Sequence, residues 1–306
     1  MKLAPIALFT YNRPWHTRQT VEALHRNELA SESDLYIFSD AAKDGDGKEA
    51  VAEVRRYIHE INGFNSVTLI ERESNLGLAN SIISGVTEVL ERYGRIIVIE
   101  DDLMTSTYFL RFMNDGLNAY KDDDRVINIH AYTLPLNEDV PETFFLRGGG
   151  CWGWATWKRG WDLFDPDGAS LLEALKRKGL MKRFDLKGGY AYTKMLRAQV
   201  NGRIDSWAIR WHASAFLKDK LSLYPGRSLV SNIGLDNSGT HCGDAVYFQT
   251  HVDDTRVRVG GIDVCENQHM LSCYERYYKL VNKKVRTSRI KRGISKIIGF
   301  GSKTGN

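Results

Sequence analysis

The N-terminal third of the chain alternates between two hydrophobic periods, and this alternation strongly limits the folds the chain can adopt. Short apolar segments such as "APIALFT" and "RIIVIE" have the length and composition of buried strands. Longer segments between them, such as "NLGLANSIISGVTEVLERYG", place apolar residues three and four positions apart, as amphipathic helices do. Strands and helices in strict alternation indicate right-handed crossovers and a mainly parallel sheet. The sequence therefore predicts an α/β fold with helices on both faces of a central sheet.

Polar side chains follow the predicted strands at their carboxyl ends. They are Thr10, Asn12 and Arg13 after the first strand, Asp40 after the second, and Glu100, Asp101 and Asp102 after the fourth. Ligands of open parallel sheets bind outside the carboxyl ends of the strands. We therefore expect these side chains to meet at one edge of the sheet and to form a ligand site there.

The acidic triplet "EDD" at residues 100–102 ends a strand with an apolar interior. No GxGxxG follows the predicted strands of the N-terminal third, and the sequence has no P-loop, so phosphate groups would have to be held in another way. A divalent cation bound by carboxylate oxygens is a suitable substitute. The alternative is a solvated strand-to-helix turn in which Asp102, Thr105 or Ser106 caps the next helix.

The segment "FFLRGGGCWGWATWKRGW" combines three consecutive glycines with four tryptophans. Glycines allow a backbone to approach a ligand closely, and the flat faces of tryptophans suit sugar rings. Trp152 and Trp154, beside the glycines, are therefore candidates for sugar binding, with a packed aromatic core as the alternative. Trp157 and Trp161 are more typical of a core.

His241 and the cysteines offer further candidate ligands. His241 lies in a loop of small residues that would bury little of it, which favours a ligand role over the structural role usual for a lone histidine. The four cysteines form no CxxC pair and indicate reduced thiols in a cytoplasmic protein. Cys265 and His269 could form a metal pair, although a buried thiol beside a surface histidine is the more common arrangement.

The basic residues are concentrated at the C-terminus. Nine of the 42 lie from Lys279 onward with no acidic residue among them, which leaves 33 basic against 38 acidic residues in the body. A mildly acidic body argues against nucleic-acid binding. Residues 284–306 read as a basic amphipathic helix, typical of peripheral contact with an anionic membrane. No apolar stretch reaches the ~18 residues that span a bilayer, and the N-terminus does not resemble a signal peptide.

Five segments occur in an order that resembles nucleotide-sugar glycosyltransferases of the GT-A fold. They are "ALFTYNRP", "IEDD", "FFLRGGGCWGWATW", "DSW" and "SLVSNIG". The chain is most similar to bacterial family 2-like enzymes of surface-glycan assembly. It is more distantly similar to N-acetylglucosaminyltransferase I relatives, which have a comparable "EDD" triplet and "FF-G-GW" stretch. The resemblance spans roughly residues 4–245, and the triplet is specific only in combination with the Gly/Trp segment.

The resemblance implies roles for the residues at the strand ends. By position, Asp102 corresponds to the acid that binds a Mn²⁺ ion bridging the donor phosphates. Glu100 and Asp101 would contact the nucleoside and sugar. Thr10, Asn12 and Arg13 would lie beside the nucleotide, and Asp40 would contact the uracil base.

The resemblance also implies a catalytic base and a second metal ligand. In inverting members the base precedes a tryptophan in a "DDW"-like segment. Here the segment is "DSW", so one acid is missing and Asp205 is the remaining candidate. His241 corresponds to the late metal-binding histidine of several GT-A families. Manganese tolerates an imidazole ligand, so this histidine favours Mn²⁺ over Mg²⁺.

Together these features predict a metal-dependent, inverting glycosyltransferase that uses a UDP-sugar donor and a glycan or lipid-linked acceptor. The expected location is the cytoplasm, at the inner face of the cell membrane. The expected organisation is one catalytic domain over residues 1–278, with a donor half (1–133) and an acceptor half (134–278), followed by a basic tail (279–306). The alternatives are a sugar-phosphate nucleotidyltransferase and a non-catalytic sugar- or nucleotide-binding module.

Overall fold

The computed structural model of the chain describes residues 2–236 and 247–300. The strands are β1 (Ile6–Thr10), β2 (Asp34–Ser39), β3 (Ser66–Glu71), β4 (Arg95–Glu100), β5 (Leu103–Thr105), β6 (Val126–His130), β7 (Thr143–Arg147), β8 (Trp154–Trp157), β9 (Leu221–Pro225) and β10 (Val230–Asn232). The α-helices are α1 (Pro14–His25), α2 (Lys48–Ile58), α3 (Leu78–Tyr93), α4 (Phe109–Ala119), α5 (Lys158–Trp161), α6 (Gly168–Arg177), α7 (Met181–Phe184), α8 (Tyr192–Val200), α9 (Trp207–Leu217) and α10 (Gln268–Phe300).

Eight strands form the central sheet, in the order β3-β2-β1-β4-β8-β6-β9-β7. The pairs β3–β2, β2–β1, β1–β4 and β6–β9 are parallel, whereas β7 and β8 run antiparallel to their neighbours. Each parallel pair among the first four strands is connected by a segment that contains a helix, as the hydrophobic periods predict. The predicted α/β fold with a mainly parallel sheet is confirmed.

Helices cover both faces of this sheet because successive strand residues point to opposite sides. In β4, Ile97 and Ile99 pack in one core cluster, and Ile96 and Val98 pack in the other. The first cluster also contains residues from α1, α2, α4 and α10, and the second contains residues from α3, α5 and α9. Burial on both sides explains why the interior of β4 is entirely apolar.

A two-stranded ribbon lies beside the main sheet and connects distant parts of the chain. In it β5, which follows the acidic triplet, pairs antiparallel with β10, so that Leu103 lies opposite Asn232. The ribbon therefore holds the residues after Asn232 close to the triplet.

Helix α10 joins the body to the basic tail. Met270, Cys273 and Tyr274 of this helix are buried, as is Val281. The expected boundary between residues 278 and 279 therefore falls inside a continuous helix whose first turns pack on the body. Within the described residues, no helix combines enough length with enough apolar character to cross a membrane.

Candidate functional site

The acidic triplet lies at the carboxyl end of β4, in the middle of the sheet. Glu100 is the last residue of β4, and Asp101 and Asp102 form the turn that precedes β5. The backbone carbonyl of Asp102 accepts a hydrogen bond from Ile233 N at 2.8 Å. The turn is thus fixed on one side by a buried strand and on the other by the ribbon.

Arg13 bridges two of the three acids. Its Nη2 donates to Asp101 Oδ1 at 2.6 Å and to Asp102 Oδ2 at 2.8 Å. Asp101 Oδ2 also accepts a hydrogen bond from Tyr11 N at 3.3 Å. The structure thus brings the loop after β1 together with the loop after β4, as expected from the sheet.

Burial changes the protonation of the triplet. Burial, reinforced by the negative charges of Asp102 and Asp101, raises the pKa of Glu100 to about 8. Burial also raises the pKa of Asp101, and the contact with Arg13 offsets only part of this effect. Although burial disfavours its charge, Arg13 has a pKa raised above the usual value by its two carboxylate partners. Burial therefore favours the protonated form of Glu100.

Gly234 lies directly against the Arg13–Asp102 ion pair. The sequence did not identify it as a site residue. A Cβ atom added at this position would lie 2.2 Å from Asp102 Oδ2 and 2.7 Å from Arg13 Nη1. Only glycine leaves room for the pair there. Its place in "SNIG", just after a strand and before a loop, is the signal that could have identified it.

The described residues fit a divalent cation bound to a phosphate-containing ligand. Carboxylate oxygens are the preferred ligands of Mg²⁺ and Mn²⁺, and Asp102 is the triplet residue directly before the ribbon strand β5. Arg13 Nη1 is buried without a hydrogen-bond partner among the described residues. A buried guanidinium nitrogen that lacks an acceptor is suited to an anionic oxygen, such as that of a phosphate.

Thr10 and Asp40 are both buried, and Asp40 has a structural role. Asp40 Oδ1 accepts from Leu76 N at 2.9 Å, and Oδ2 accepts from Gly77 N at 3.0 Å. Asp40 Oδ2 also accepts a hydrogen bond from Asn75 Nδ2 at 3.2 Å. Asp40 therefore fixes the loop before α3, and contact with a base would require it to give up some of these bonds. Thr10 Oγ1 is buried without a partner among the described residues, and Asn12 is partly buried.

The three consecutive glycines accommodate aromatic rings from the protein itself. Cβ atoms added at Gly148, Gly149 and Gly150 would each lie 2.3 Å from a ring atom, belonging to His212, Trp211 and His130 respectively. The expectation that these glycines let the backbone approach a ligand therefore needs correction. They allow the backbone to pack directly against buried rings.

Trp152 and Trp154 occupy different environments although both follow the glycines. Trp154 is fully buried, with its ring centroid 5.3 Å from that of Trp207 and 5.7 Å from that of Trp211. It has no exposed face for a sugar, so the expected binding role does not agree with its position in the core. Trp152 is only partly buried and contacts Tyr132 edge to face at 4.6 Å.

His130 supports the backbone beside Trp152. Burial lowers the pKa of His130 to about 3, so the ring is neutral, and its Nε2 accepts from Trp152 N at 3.2 Å. Cys151, the residue before Trp152, is partly buried near the triplet. Burial and the charges of Glu100 and Asp102 raise the pKa of its thiol. Cys151 is therefore a neutral thiol and not a nucleophile.

Asp205 lies two residues before the start of α9. Its side chain is largely exposed and accepts from Arg210 Nη2 at 3.3 Å. The next residue, Ser206, caps α9 by accepting from Ile209 N at 3.3 Å. The carboxylate is thus held at a helix N-terminus, and its role as a base stays a prediction.

His241 lies outside the described residues, so its role as a metal ligand also stays a prediction. The chain enters its segment from Gly234, beside Asp102. His16 Nε2 lies 3.1 Å from Asp236 Oδ2, which joins α1 to the start of this segment. The pairing of His16 with Asp236 was not identified from the sequence, because 220 positions separate the two residues.

Neither the known protein-family models nor the curated proteins match this sequence. Solved structures with limited similarity include S. aureus TarS, at 13% identity and a TM-score of 0.30, over 45% of this chain and 23% of that chain. The 1–349 fragment of TarS gives 10% identity and a TM-score of 0.40, over 74% and 59% of the two chains. The mannosyltransferase PcManGT from Pyrobaculum calidifontis, in complex with GDP-Man and Mn²⁺, gives 12% identity and a TM-score of 0.37, over 71% and 72%. The present chain thus covers less than two thirds of either TarS chain, and similarities this low leave its function to be inferred from the site.

Proposed function

We propose that the chain is a metal-dependent glycosyltransferase that uses a UDP-sugar donor and inverts the configuration of the transferred sugar. The observation that carries this proposal is the convergence of Glu100, Asp101 and Asp102 with Arg13 at the carboxyl end of the central strand. This edge is where sheets of this type bind their ligands. The acceptor in the proposal is a surface glycan or a lipid-linked glycan.

The arrangement suits the chemistry of glycosyl transfer. Negative charge develops on the diphosphate as the glycosidic bond breaks, and fixed positive groups stabilise that charge. Asp102, with His241, would hold a Mn²⁺ or Mg²⁺ ion, which supplies Lewis-acid stabilisation when bound. Arg13 would donate from Nη1 to a phosphate oxygen. Asp205 would accept the proton of the acceptor hydroxyl.

Nucleotide binding with a divalent ion is the direct test. We expect UDP or a UDP-sugar with Mn²⁺ to raise the melting temperature. A ligand at 100 times its Kd stabilises the folded state by about 2.7 kcal/mol. Parallel measurements with GDP and GDP-mannose identify the preferred base, and measurements with Mg²⁺ or without any ion identify the preferred metal. Slow hydrolysis of the preferred sugar nucleotide without acceptor then distinguishes a transferase from a binding module. The absence of stabilisation by every nucleotide with either ion would overturn the proposal.

The proposed base gives a second prediction. Asp205→Asn removes a proton acceptor from an exposed position and leaves the Ser206 cap intact. We expect turnover with acceptor to fall about 10²–10⁴-fold, the range for a lost general base, while UDP affinity stays unchanged. Steady-state kinetics and a UDP titration measure the two effects. Near-normal turnover would assign the base to another residue.

The basic tail gives a third prediction. We propose that residues 284–306 bind the anionic inner surface of the membrane. Each basic residue near such a surface adds about 1 kcal/mol. Val281 is the last buried residue of α10 among those whose burial the structure describes, and deletion of residues 284–306 keeps it. We expect the deletion to abolish salt-sensitive co-sedimentation with anionic liposomes and to preserve hydrolysis of the sugar nucleotide. Liposome binding that survives the deletion would refute the anchor.

A further inference from the structure

A second cluster of metal-binding side chains lies away from the acidic triplet, where α10 meets the loop between β6 and β7. Glu138 comes from the loop, and His269 and Cys273 come from the first turns of α10. One ligand atom from each of the three residues lies within 4.8 Å of the others. Cys265, which the sequence offers as a partner of His269, is exposed and precedes the helix. The helix instead pairs His269 with Cys273, four residues later.

The sulfur–nitrogen distance within this cluster matches the one expected around a tetrahedral ion. Cys273 Sγ lies 3.5 Å from His269 Nε2 and 3.0 Å from Glu138 Oε2. Zinc binds sulfur at about 2.3 Å and nitrogen at about 2.0 Å in tetrahedral geometry, which places the two ligand atoms roughly 3.5 Å apart. The thiol and the imidazole thus already have the required separation, and the carboxylate needs a shift of about half an ångström.

We propose that Glu138, His269 and Cys273 form a binding site for a borderline divalent cation of the zinc type, with water completing the tetrahedron. Sulfur and nitrogen ligands select Zn²⁺, whereas the all-oxygen ligands of the triplet select Mn²⁺ or Mg²⁺. The Cys273 thiol releases its proton to solvent when it binds the ion as a thiolate. The site would connect the loop before β7 to the start of α10.

Arg276 contacts two of the three residues of the cluster. Its Nη2 donates to Glu138 Oε2 and lies 3.2 Å from Cys273 Sγ. The guanidinium therefore neutralises the carboxylate that the ion would bind, and it competes with the ion for the same atoms. The Arg276 side chain is 56% exposed, so it can turn into solvent when an ion arrives. Its removal is expected to tighten ion binding.

Titration of the full-length protein with Co²⁺ and Zn²⁺ tests the site. We expect one Co²⁺ per chain with thiolate-to-cobalt charge-transfer absorption, displacement by Zn²⁺, and a melting temperature that rises with Zn²⁺ and falls with chelator. Replacement of residues that only hydrogen-bond to a metal ligand already weakens metal binding about 10–100-fold. His269→Ala and Glu138→Gln should therefore weaken Zn²⁺ binding by at least about tenfold, and Cys273→Ser should abolish the absorption. Arg276→Ala should increase the affinity severalfold.

Matched variants separate this site from other thiols and from the triplet. Cys265→Ser, Cys242→Ser and Asp102→Ala should leave the Co²⁺ spectrum unchanged. A spectrum that is absent in the wild type, or lost in Cys265→Ser or Cys242→Ser, would overturn the proposal. So would a spectrum that survives both His269→Ala and Glu138→Gln at unchanged affinity. Because the exposed His269 and Glu138 can be replaced without opening the core, the test does not depend on the buried Cys273.

Discussion

Asp102→Ala is expected to abolish Mn²⁺-dependent binding of UDP and to lower hydrolysis of the sugar nucleotide by at least about 100-fold, since a catalytic ion contributes several kcal/mol. Asp102 is the triplet acid directly before the ribbon strand β5 and beside Gly234, and the other two acids are less suited to replace it. Burial raises the pKa of Glu100 and so disfavours its charged form. Both carboxylate oxygens of Asp101 accept hydrogen bonds, from Arg13 and from Tyr11 N, whereas among the described residues Asp102 accepts from Arg13 at Oδ2 alone. The melting temperature with UDP is measured with and without Mn²⁺, alongside the hydrolysis rate.

Two further variants make this result specific. Asp102→Asn keeps the size of the side chain and removes its charge, so it should behave like the alanine variant if the carboxylate binds the ion. Asp122→Ala removes an exposed acid before β6, at the opposite edge of the sheet, and should leave both measurements unchanged. Full Mn²⁺-dependent stabilisation by UDP in Asp102→Ala would assign the metal to other ligands.

Trp154→Ala is expected to cause the largest loss of stability. The side chain is fully buried among Trp161, Trp207 and Trp211. Replacement of a buried tryptophan by alanine costs about 3–5 kcal/mol, because a cavity remains where the ring was. At about 2–4 °C per kcal/mol, this predicts a melting temperature lower by roughly 6 °C or more.

Trp152→Ala is the matched comparison two residues earlier in the chain. Its ring is partly exposed, so the variant should lose little stability. If Trp152 stacks on a sugar, the variant should use donor or acceptor less well, which KM measurements with each substrate distinguish. The assignment of Trp154 to the core would be contradicted if its replacement changed kinetics at an unchanged melting temperature.

The sequence was sufficient to predict the parallel part of the sheet, β1 to β4, and the meeting of the loops after β1 and β4, because hydrophobic period is a local property. β1, β4 and α3 fall within the predicted segments "APIALFT", "RIIVIE" and "NLGLANSIISGVTEVLERYG", and Arg13 contacts the triplet as the parallel order requires. The difference between Trp152 and Trp154 could not be predicted in this way. Both follow glycines, and only the packing of α9, contributed by residues 207–217, decides which ring is enclosed.

The pairings between distant segments were also inaccessible from local patterns. Gly234 meets Asp102 because β10 pairs with β5, and nothing in either short segment indicates this partner. The same holds for the choice between Cys265 and Cys273 as the neighbour of His269. Both cysteines lie four residues from the histidine, and the start of α10 at Gln268 decides between them.

The antiparallel direction of β8 affects which parts of the chain can change in sequence independently of each other. Trp154, the first residue of β8, lies opposite Val98 of β4, so the loop that precedes β8 reaches the sheet at the edge where β4 ends. The second half of the chain therefore brings Cys151 close to the acidic triplet through a loop, while pairing with β4 fixes the register of the strand that follows. Substitutions in that loop can change the surface beside the triplet without moving the carboxylates. For the proposed glycosyltransferase, a sheet built in this way would allow selection to change the preference for one substrate while the binding of the other is preserved.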